Sequence, residues 1–161
     1  YDDVLLVPQY SDIESRSEID IHADLGNNLV LDMPVISSPM DTISELDMSV
    51  AMAYTGGCSI IHRYNTIQEQ MDIVRQFKEK SAPGGVVGAA VGVSDDFMNR
   101  ASVLMAVGVD FLCIDVAHGH HILMKEALSQ METEISLAQI FRIVIISREK
   151  YLVETIIMLQ N

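Results

Sequence analysis

Short apolar runs alternate along this chain with longer stretches in which apolar residues recur at helical spacing. Met33-Pro-Val-Ile-Ser-Ser38, Cys58-Ser-Ile-Ile61, Val86 to Val93, Phe111 to Asp115 and Arg142-Ile-Val-Ile-Ile-Ser147 are the runs. Continuous rather than alternating hydrophobicity predicts strands buried on both faces. Between them the spacing predicts helices. Glu45 to Thr55 carries Leu46, Met48, Val50, Met52 and Ala53 on one face, with Ser44 and Asp47 as its start signal and Gly56-Gly57 as its stop. Thr66 and Glu69 form a capping box for a helix to about Lys80, whose buried stripe is Ile67, Met71, Val74 and Phe77. After the linker Ser81 to Gly85, Ser94 caps a helix from Asp95 to Val107, stopped by Gly108. Ile122 to Met131 and Arg148 to Gln160 are the last two expected helices. The small residues Gly88, Ala89, Ala90 and Gly92 predict close approach of another backbone or a ligand to the third strand.

The start of the chain is less regular. Val4 to Val7 reads as strand-like and ends at Pro8, and 9–28 reads as an extended polar lead-in with one short strand at Ile19 to Ile21. Because the chain opens on Tyr1 inside an apolar run, a missing N-terminus is expected.

Strict β–α alternation predicts an α/β fold with a parallel sheet and right-handed crossovers. Two architectures satisfy it: an open doubly wound sheet, or a partial (β/α)8 TIM barrel. A complete barrel needs about 250 residues, so 161 residues hold about five βα units. No G-x-G-x-x-G follows the first strand, which disfavours the dinucleotide-binding doubly wound sheet.

Composition narrows the function classes. With 49% hydrophobic residues the chain can bury a core, and its length suits one domain spanning 1–161. A net charge of −13 argues against nucleic-acid and anionic-membrane partners, which need basic surfaces. No apolar run approaches the roughly 18 residues of a membrane span. Cys58 and Cys113 sit in apolar runs and read as buried, reduced thiols of a cytoplasmic protein.

Candidate chemistry gathers where the strands end. Ser37-Ser-Pro-Met-Asp-Thr42 follows the first strand, and its hydroxyls and acid suit a polar ligand. His62-Arg-Tyr-Asn65 follows the second, where Arg63 suits a phosphate or a base. Asp115 ends the fourth; a carboxylate closing a buried run needs donors, and a ribose diol supplies them. His118, His120 and His121 could share a metal only with ligands that the pattern does not supply. Each cluster also has an ordinary reading as turn, cap or solvated loop. In a parallel sheet, however, all of them share one edge.

These residues resemble the IMP dehydrogenase and GMP reductase family. The resemblance is carried by Tyr1-Asp-Asp-Val-Leu-Leu-Val-Pro8, Ser15-Arg-Ser-Glu18, Pro34-Val-Ile-Ser-Ser-Pro-Met-Asp-Thr42, Gly56-Gly57 with Ile60-Ile-His62, Gly88-Ala-Ala-Val-Gly92, and Gly108-Val-Asp110 with Ile114-Asp-Val-Ala-His-Gly-His120. These motifs cover about 1–128 and fade beyond Leu128. The resemblance implies the N-terminal part of a (β/α)8 catalytic barrel, assembled as a homotetramer. It implies hydride transfer between C2 of a purine nucleotide and a nicotinamide, with NAD (alternatively NADP) as cofactor and a potassium ion held by segments that are absent here. In the dehydrogenase a cysteine thiolate adds to C2 of IMP, hydride leaves to NAD, and water releases XMP; in the reductase NADPH converts GMP to IMP with loss of ammonia. By position, Ser38 and Met40 would contact the nucleotide, Asp115, Val116 and Ala117 would lie along the nicotinamide ribose, and Arg63 would lie near the dinucleotide.

The chain departs from the family where the chemistry is done. No G-S-x-C-x-T loop is present, and neither cysteine has that context, so no catalytic residue is identified. The Gly-Asn pair expected after the fifth strand is replaced by Ile146-Ser147-Arg148. Ser-Pro-Met-Asp-Thr leans to the dehydrogenase; Ser-Arg-Ser-Glu, Asp-Val-Ala-His-Gly-His and the short join at Ser81 to Gly85 lean to the reductase. The dehydrogenase is placed first, the reductase second, and a nucleotide- or partner-binding half-barrel without catalysis third. The chain alone is expected to be inactive.

Overall fold

The computed structural model describes residues 5–26, 29–94, 96–134, 142–147 and 156–157. A small antiparallel pair comes first, β1 (Ala23–Asp24) with β2 (Val30–Leu31). Then β3 (Ile36–Ser37), α1 (Leu46–Tyr54), β4 (Cys58–Ile61), α2 (Ile67–Lys80), β5 (Val87–Val91), α3 (Phe97–Ala106), β6 (Phe111–Val116), α4 (Ile122–Glu134) and β7 (Arg142–Ser147) follow in turn. The strands β3 to β7 pair in chain order, each parallel to the next. A doubly wound sheet reverses strand order at a switch point. This sheet does not, and it has the order of a parallel half-barrel, compatible with a partial TIM barrel. Four strand–helix units are complete among the described residues.

Side-chain alternation separates two cores. Val87, Ala89 and Val91 of β5 and Leu112 and Ile114 of β6 pack outward against Val74, Phe77, Leu104 and Met124 of the helices. Cys58, Ile60, Ala90, Phe111 and Cys113 face inward and are covered by Leu31 of β2 and by Leu29 just before it. Period-two alternation places Asp115 on the same inward face as Phe111 and Cys113, one step nearer the carboxyl end.

Turn and cap chemistry holds the helices in place. Thr66 accepts from the Glu69 backbone N–H while Glu69 returns to the Thr66 backbone, the expected capping box. Gly56 has φ +83°, and a Cβ there would lie 2.7 Å from the Asp32 Cβ. Beside it, a Cβ on Gly57 would lie 2.7 Å from the Val35 carbonyl oxygen. Both glycines are therefore required by the turn from α1 into β4.

Several expectations are corrected. Leu5 to Val7 form no strand and are exposed at 89%, 97% and 76%; Val4 lies outside the described residues. Ile19 to Ile21 form no strand either. The lead-in instead has a 3-10 turn at Arg16–Glu18, and the strand lies at Ala23–Asp24, where β2 offers a pairing partner. Ser44 does not cap α1: the cap position is Glu45, and the Ser44 hydroxyl is drawn to the Ser38 carbonyl. Ser94 does not cap α3, which starts after Asp96. Met48 is exposed, and the buried residue of α1 is Ser49. The close neighbour of Gly88 is neither backbone nor ligand but the Phe111 ring. The expected helix from Arg148 to Gln160 is contradicted at Ile156–Ile157, which form a short strand, β8, antiparallel to β7. β-branched side chains favour strand there; the rest of that helix lies outside the described residues.

Candidate functional site

Parallel pairing brings the carboxyl ends of β3 to β6 to one edge of the sheet, where ligands collect in folds of this class. At this edge Asp115 is 2% exposed, and Arg63, just beyond β4, reaches across the end of β5 to place its Nε 3.6 Å from Asp115 Oδ2. The Arg63 guanidinium passes over Gly92, where an added Cβ would just touch it at 3.7 Å. It also lies 5.5 Å from the centre of the Tyr64 ring, in cation–π range. A buried acid thus carries its countercharge on a side chain that is 36% exposed.

Beside this pair lies a cleft of about 130 Å³ lined by Arg63, Gly92, Val93, Ser94, Asp96, Arg100 and Val116. Its walls are held from beneath. Gln70, fully buried in α2, donates to the carbonyls of Ile61 (3.2 Å) and Ala90 (2.9 Å), and its own carbonyl accepts from Arg100 Nη1 at 2.8 Å. Arg100 also donates through Nη2 to the Asn65 carbonyl (3.1 Å) and to Asp96 (3.0 Å).

Hydroxyls and a histidine organise the end of β3. The Ser37 hydroxyl donates to Ser59 at 2.6 Å and lies 2.7 Å from the Ser44 hydroxyl, which donates to the Ser38 carbonyl. His62 is 2% exposed. Its Nδ1 accepts from the Tyr64 backbone N–H at 3.1 Å, which assigns the proton to Nε2, 3.1 Å from Glu45.

The structure brings Arg63, Asp115 and Val116 together; Arg63 and Val116 line the cleft, whereas the buried Asp115 does not. Ser38 and Met40 lie on the same edge, exposed, but do not line the cleft; Ala117 follows Val116 and does not line it either. Gln70, Arg100 and Ser44 were missed. Gln70 stands beside Met71 in the α2 stripe, and a polar residue amid core positions was the available signal. Arg100 carried none, because its partners are dispersed in the chain.

Neither cysteine is placed for nucleophilic chemistry. Both are buried in the inward core, and burial pushes the Cys58 thiol up to about 12, so it stays protonated at neutral pH. Among the described residues no group of histidines, cysteines and acids is arranged to hold a metal. No described helix is long and apolar enough to cross a membrane.

The sequence model described as "IMP dehydrogenase / GMP reductase domain" matches residues 1–154, past the last recognisable motif. An inosine-5'-monophosphate dehydrogenase of Nitrosopumilus maritimus is 50% identical over 82 residues, covering 51% of this chain and 17% of that protein. One from Cryptosporidium parvum is 29% identical over 177 aligned positions, covering 85% of this chain and 44% of its own length. A GMP reductase of Leishmania donovani is 44% identical over 78 residues, covering 48% of this chain and 16% of its own. The chain thus spans less than half the length of these curated relatives.

Proposed function

This chain belongs to the IMP dehydrogenase / GMP reductase family, and on that premise we propose that it forms the dinucleotide-facing part of a purine-nucleotide oxidoreductase barrel. The reaction we assign to the whole barrel is that of the dehydrogenase: IMP, NAD and water give XMP and NADH. The observation that carries the reading is the Arg63–Asp115 pair at the carboxyl edge, beside the cleft.

The residues fit a nicotinamide dinucleotide in part. A buried carboxylate accepts hydrogen bonds from a ribose diol, and an arginine that is 36% exposed suits an adjoining phosphate. The cleft, about 130 Å³, is smaller than the roughly 300–1,000 Å³ of ordinary ligand sites. It takes a ribose or a phosphate, not the whole dinucleotide. When bound, the nicotinamide accepts the hydride that leaves C2 of the purine. Asp115, with Val116 and Ala117, orients the ribose; Arg63 holds charge near the dinucleotide; Ser38 and Met40, at the neighbouring strand end, face the nucleotide. The nucleophile of the family reaction is neither Cys58 nor Cys113, so the chain by itself binds without turning over.

GMP reductase is the second reading, favoured by Asp115-Val-Ala-His-Gly-His120 and by the 44% identity to the Leishmania reductase. Homotetrameric assembly and a cytoplasmic location belong to the same proposal and rest on the family.

Calorimetric titration of the chain with NAD, NADPH, IMP and GMP tests the assignment. We expect NAD to bind more tightly than NADPH, and Asp115→Asn to weaken it at least tenfold. That matches a hydrogen bond to a charged group worth about 1.5–3 kcal/mol. Tighter binding of NADPH and GMP would move the assignment to the reductase. A folded chain that binds none of the four would refute the proposal.

A further inference from the structure

The cleft has two cations on its wall, and they are not equivalent. Arg63 is held by an ion pair with Asp115, Nε to Oδ2 at 3.6 Å, and is 36% exposed, so part of its guanidinium can meet a ligand. Arg100 is 7% exposed, and its terminal nitrogens are occupied. Nη1 donates to Gln70 Oε1 at 2.8 Å and to Asn65 Oδ1 at 3.5 Å; Nη2 donates to the Asn65 carbonyl at 3.1 Å and to Asp96 at 3.0 Å. These four contacts use the four hydrogens on the terminal nitrogens, and Asp96 balances the charge.

The partners of Arg100 lie in three separate places. Asn65 belongs to the loop after β4, the loop that carries Arg63. Asp96 closes the loop after β5, which supplies Gly92, Val93 and Ser94 to the cleft. Gln70 lies beneath both, its amide bound to the last carbonyl of β4, that of Ile61, and to that of Ala90 in β5. One guanidinium therefore joins both loops to the two strand ends.

We propose that Arg100 is a positioning residue for the cleft: it clamps the β4–α2 loop to the β5–α3 loop and thereby sets where Arg63 stands. It does not itself contact the ligand. This rests on the dinucleotide reading for what the cleft holds, but the clamp is a property of the chain without ligand. Lysine cannot replace it, because one ammonium group cannot span acceptors on both sides of a planar fork.

Two measurements on the full chain separate the clamp from the ligand assignment. In hydrogen exchange without ligand, Arg100→Lys should speed exchange in 63–66 and 92–94 by about tenfold or more and leave α4 unchanged, as expected for local opening. Gln70→Glu keeps an acceptor for Arg100 but loses the donors to the strands, so it should loosen the same loops; it serves if the arginine variants do not fold. In calorimetry with NAD, Arg100→Lys and Arg100→Met should weaken binding equally, with the salt dependence unchanged, whereas Arg63→Met should reduce that dependence. Unchanged exchange in both loops would overturn the clamp. Retention of wild-type affinity by Arg100→Lys but not by Arg100→Met would also overturn it, since that pattern belongs to a direct charge contact. Loosened loops in a chain that binds no NAD would support the clamp and remove only the dinucleotide assignment.

Discussion

Substituting Gly88 by alanine tests whether the inward core is as tightly filled as its geometry requires. A Cβ at Gly88 would stand 2.4 Å from both Cε2 and Cζ of Phe111 and 3.0 Å from its Cδ2. Carbon atoms pack best at about 3.5–4.0 Å, so the ring must retreat by about 1 Å or more. It has no free direction. Phe111 is fully buried among Leu29, Leu31, Cys58, Ile60, Ala90 and Cys113. Overpacking of this kind costs about 1–3 kcal/mol. Against it, replacing glycine reduces the freedom of the unfolded chain and returns about 0.4–1 kcal/mol. The net expectation is a loss of about 1–2 kcal/mol, or a fall in Tm of roughly 2–8 °C for a chain of this size. Urea denaturation of the wild type, Gly88→Ala, Phe111→Leu and the double variant measures it. The smaller leucine should relieve the clash, so the double variant should be more stable than the sum of the single losses predicts. A Gly88→Ala chain as stable as the wild type, or a double variant with strictly additive losses, would refute the argument.

Asp110 accepts from the Val87 backbone N–H at 2.7 Å and pairs with Lys78 at 2.7 Å. Asp110→Ala should cost about 1–3 kcal/mol by leaving that N–H unsatisfied, whereas Lys78→Met should cost at most about 1 kcal/mol; equal losses in urea denaturation would sink this ranking. The hydrogen bond and charge of Asp20, reinforced by Asp32, raise the pKa of His22 above 6.5, and His22 in turn lowers that of Asp20 below 3.8. The His22 contribution is therefore full below its ordinary pKa and lost as pH rises through the raised one; that of Asp20 is present above 3.8 and lost as pH falls through its lowered value. An NMR titration should place the His22 midpoint above 6.5 and bring it down in Asp20→Asn; an unmoved midpoint would count against the pair. With both thiols buried and that of Cys58 held protonated, neither should react with a thiol reagent at pH 8 until the chain unfolds. Rapid labelling of one thiol in the folded chain would contradict this.

What could be read from the sequence was what depends on neighbours in the chain. The Thr66–Glu69 box joins residues three apart, and it forms as its spacing requires. The runs at 58–61 and 111–116 are apolar because both faces of those strands are covered, and each takes its place in the parallel sheet in chain order. Local signals failed where a distant partner outbid them. Ser44 has the form of a helix cap, yet its hydroxyl serves the Ser38 carbonyl and Ser37, because the buried end of β3 offers partners that the first turn of α1 does not match. Gly88 announced a close approach, but Phe111 lies 23 positions on, and only the β5–β6 register brings the two together.

The same distinction runs through the edge that carries the candidate site. Arg63 and Asp115 each followed a strand, and a parallel sheet had to bring them to one side; their places were legible although their 3.6 Å approach was not. Gln70 and Arg100 gave no such signal. Their role exists only after β4, β5, α2 and α3 have packed, since Arg100 binds one acceptor 4 residues away and others 30 and 35 away. Strand ends identify Arg63 and Asp115 alike, although one is 36% exposed and the other 2%. Beneath them, Gln70 binds the carbonyls of Ile61 and Ala90 and accepts from Arg100. In a half-barrel whose cleft-lining Arg63 is itself partly exposed, the proposed clamp makes the geometry of the cleft depend on that hidden layer. Changes at Gln70 or Arg100 should therefore alter binding through Arg63, although neither is needed to touch what binds.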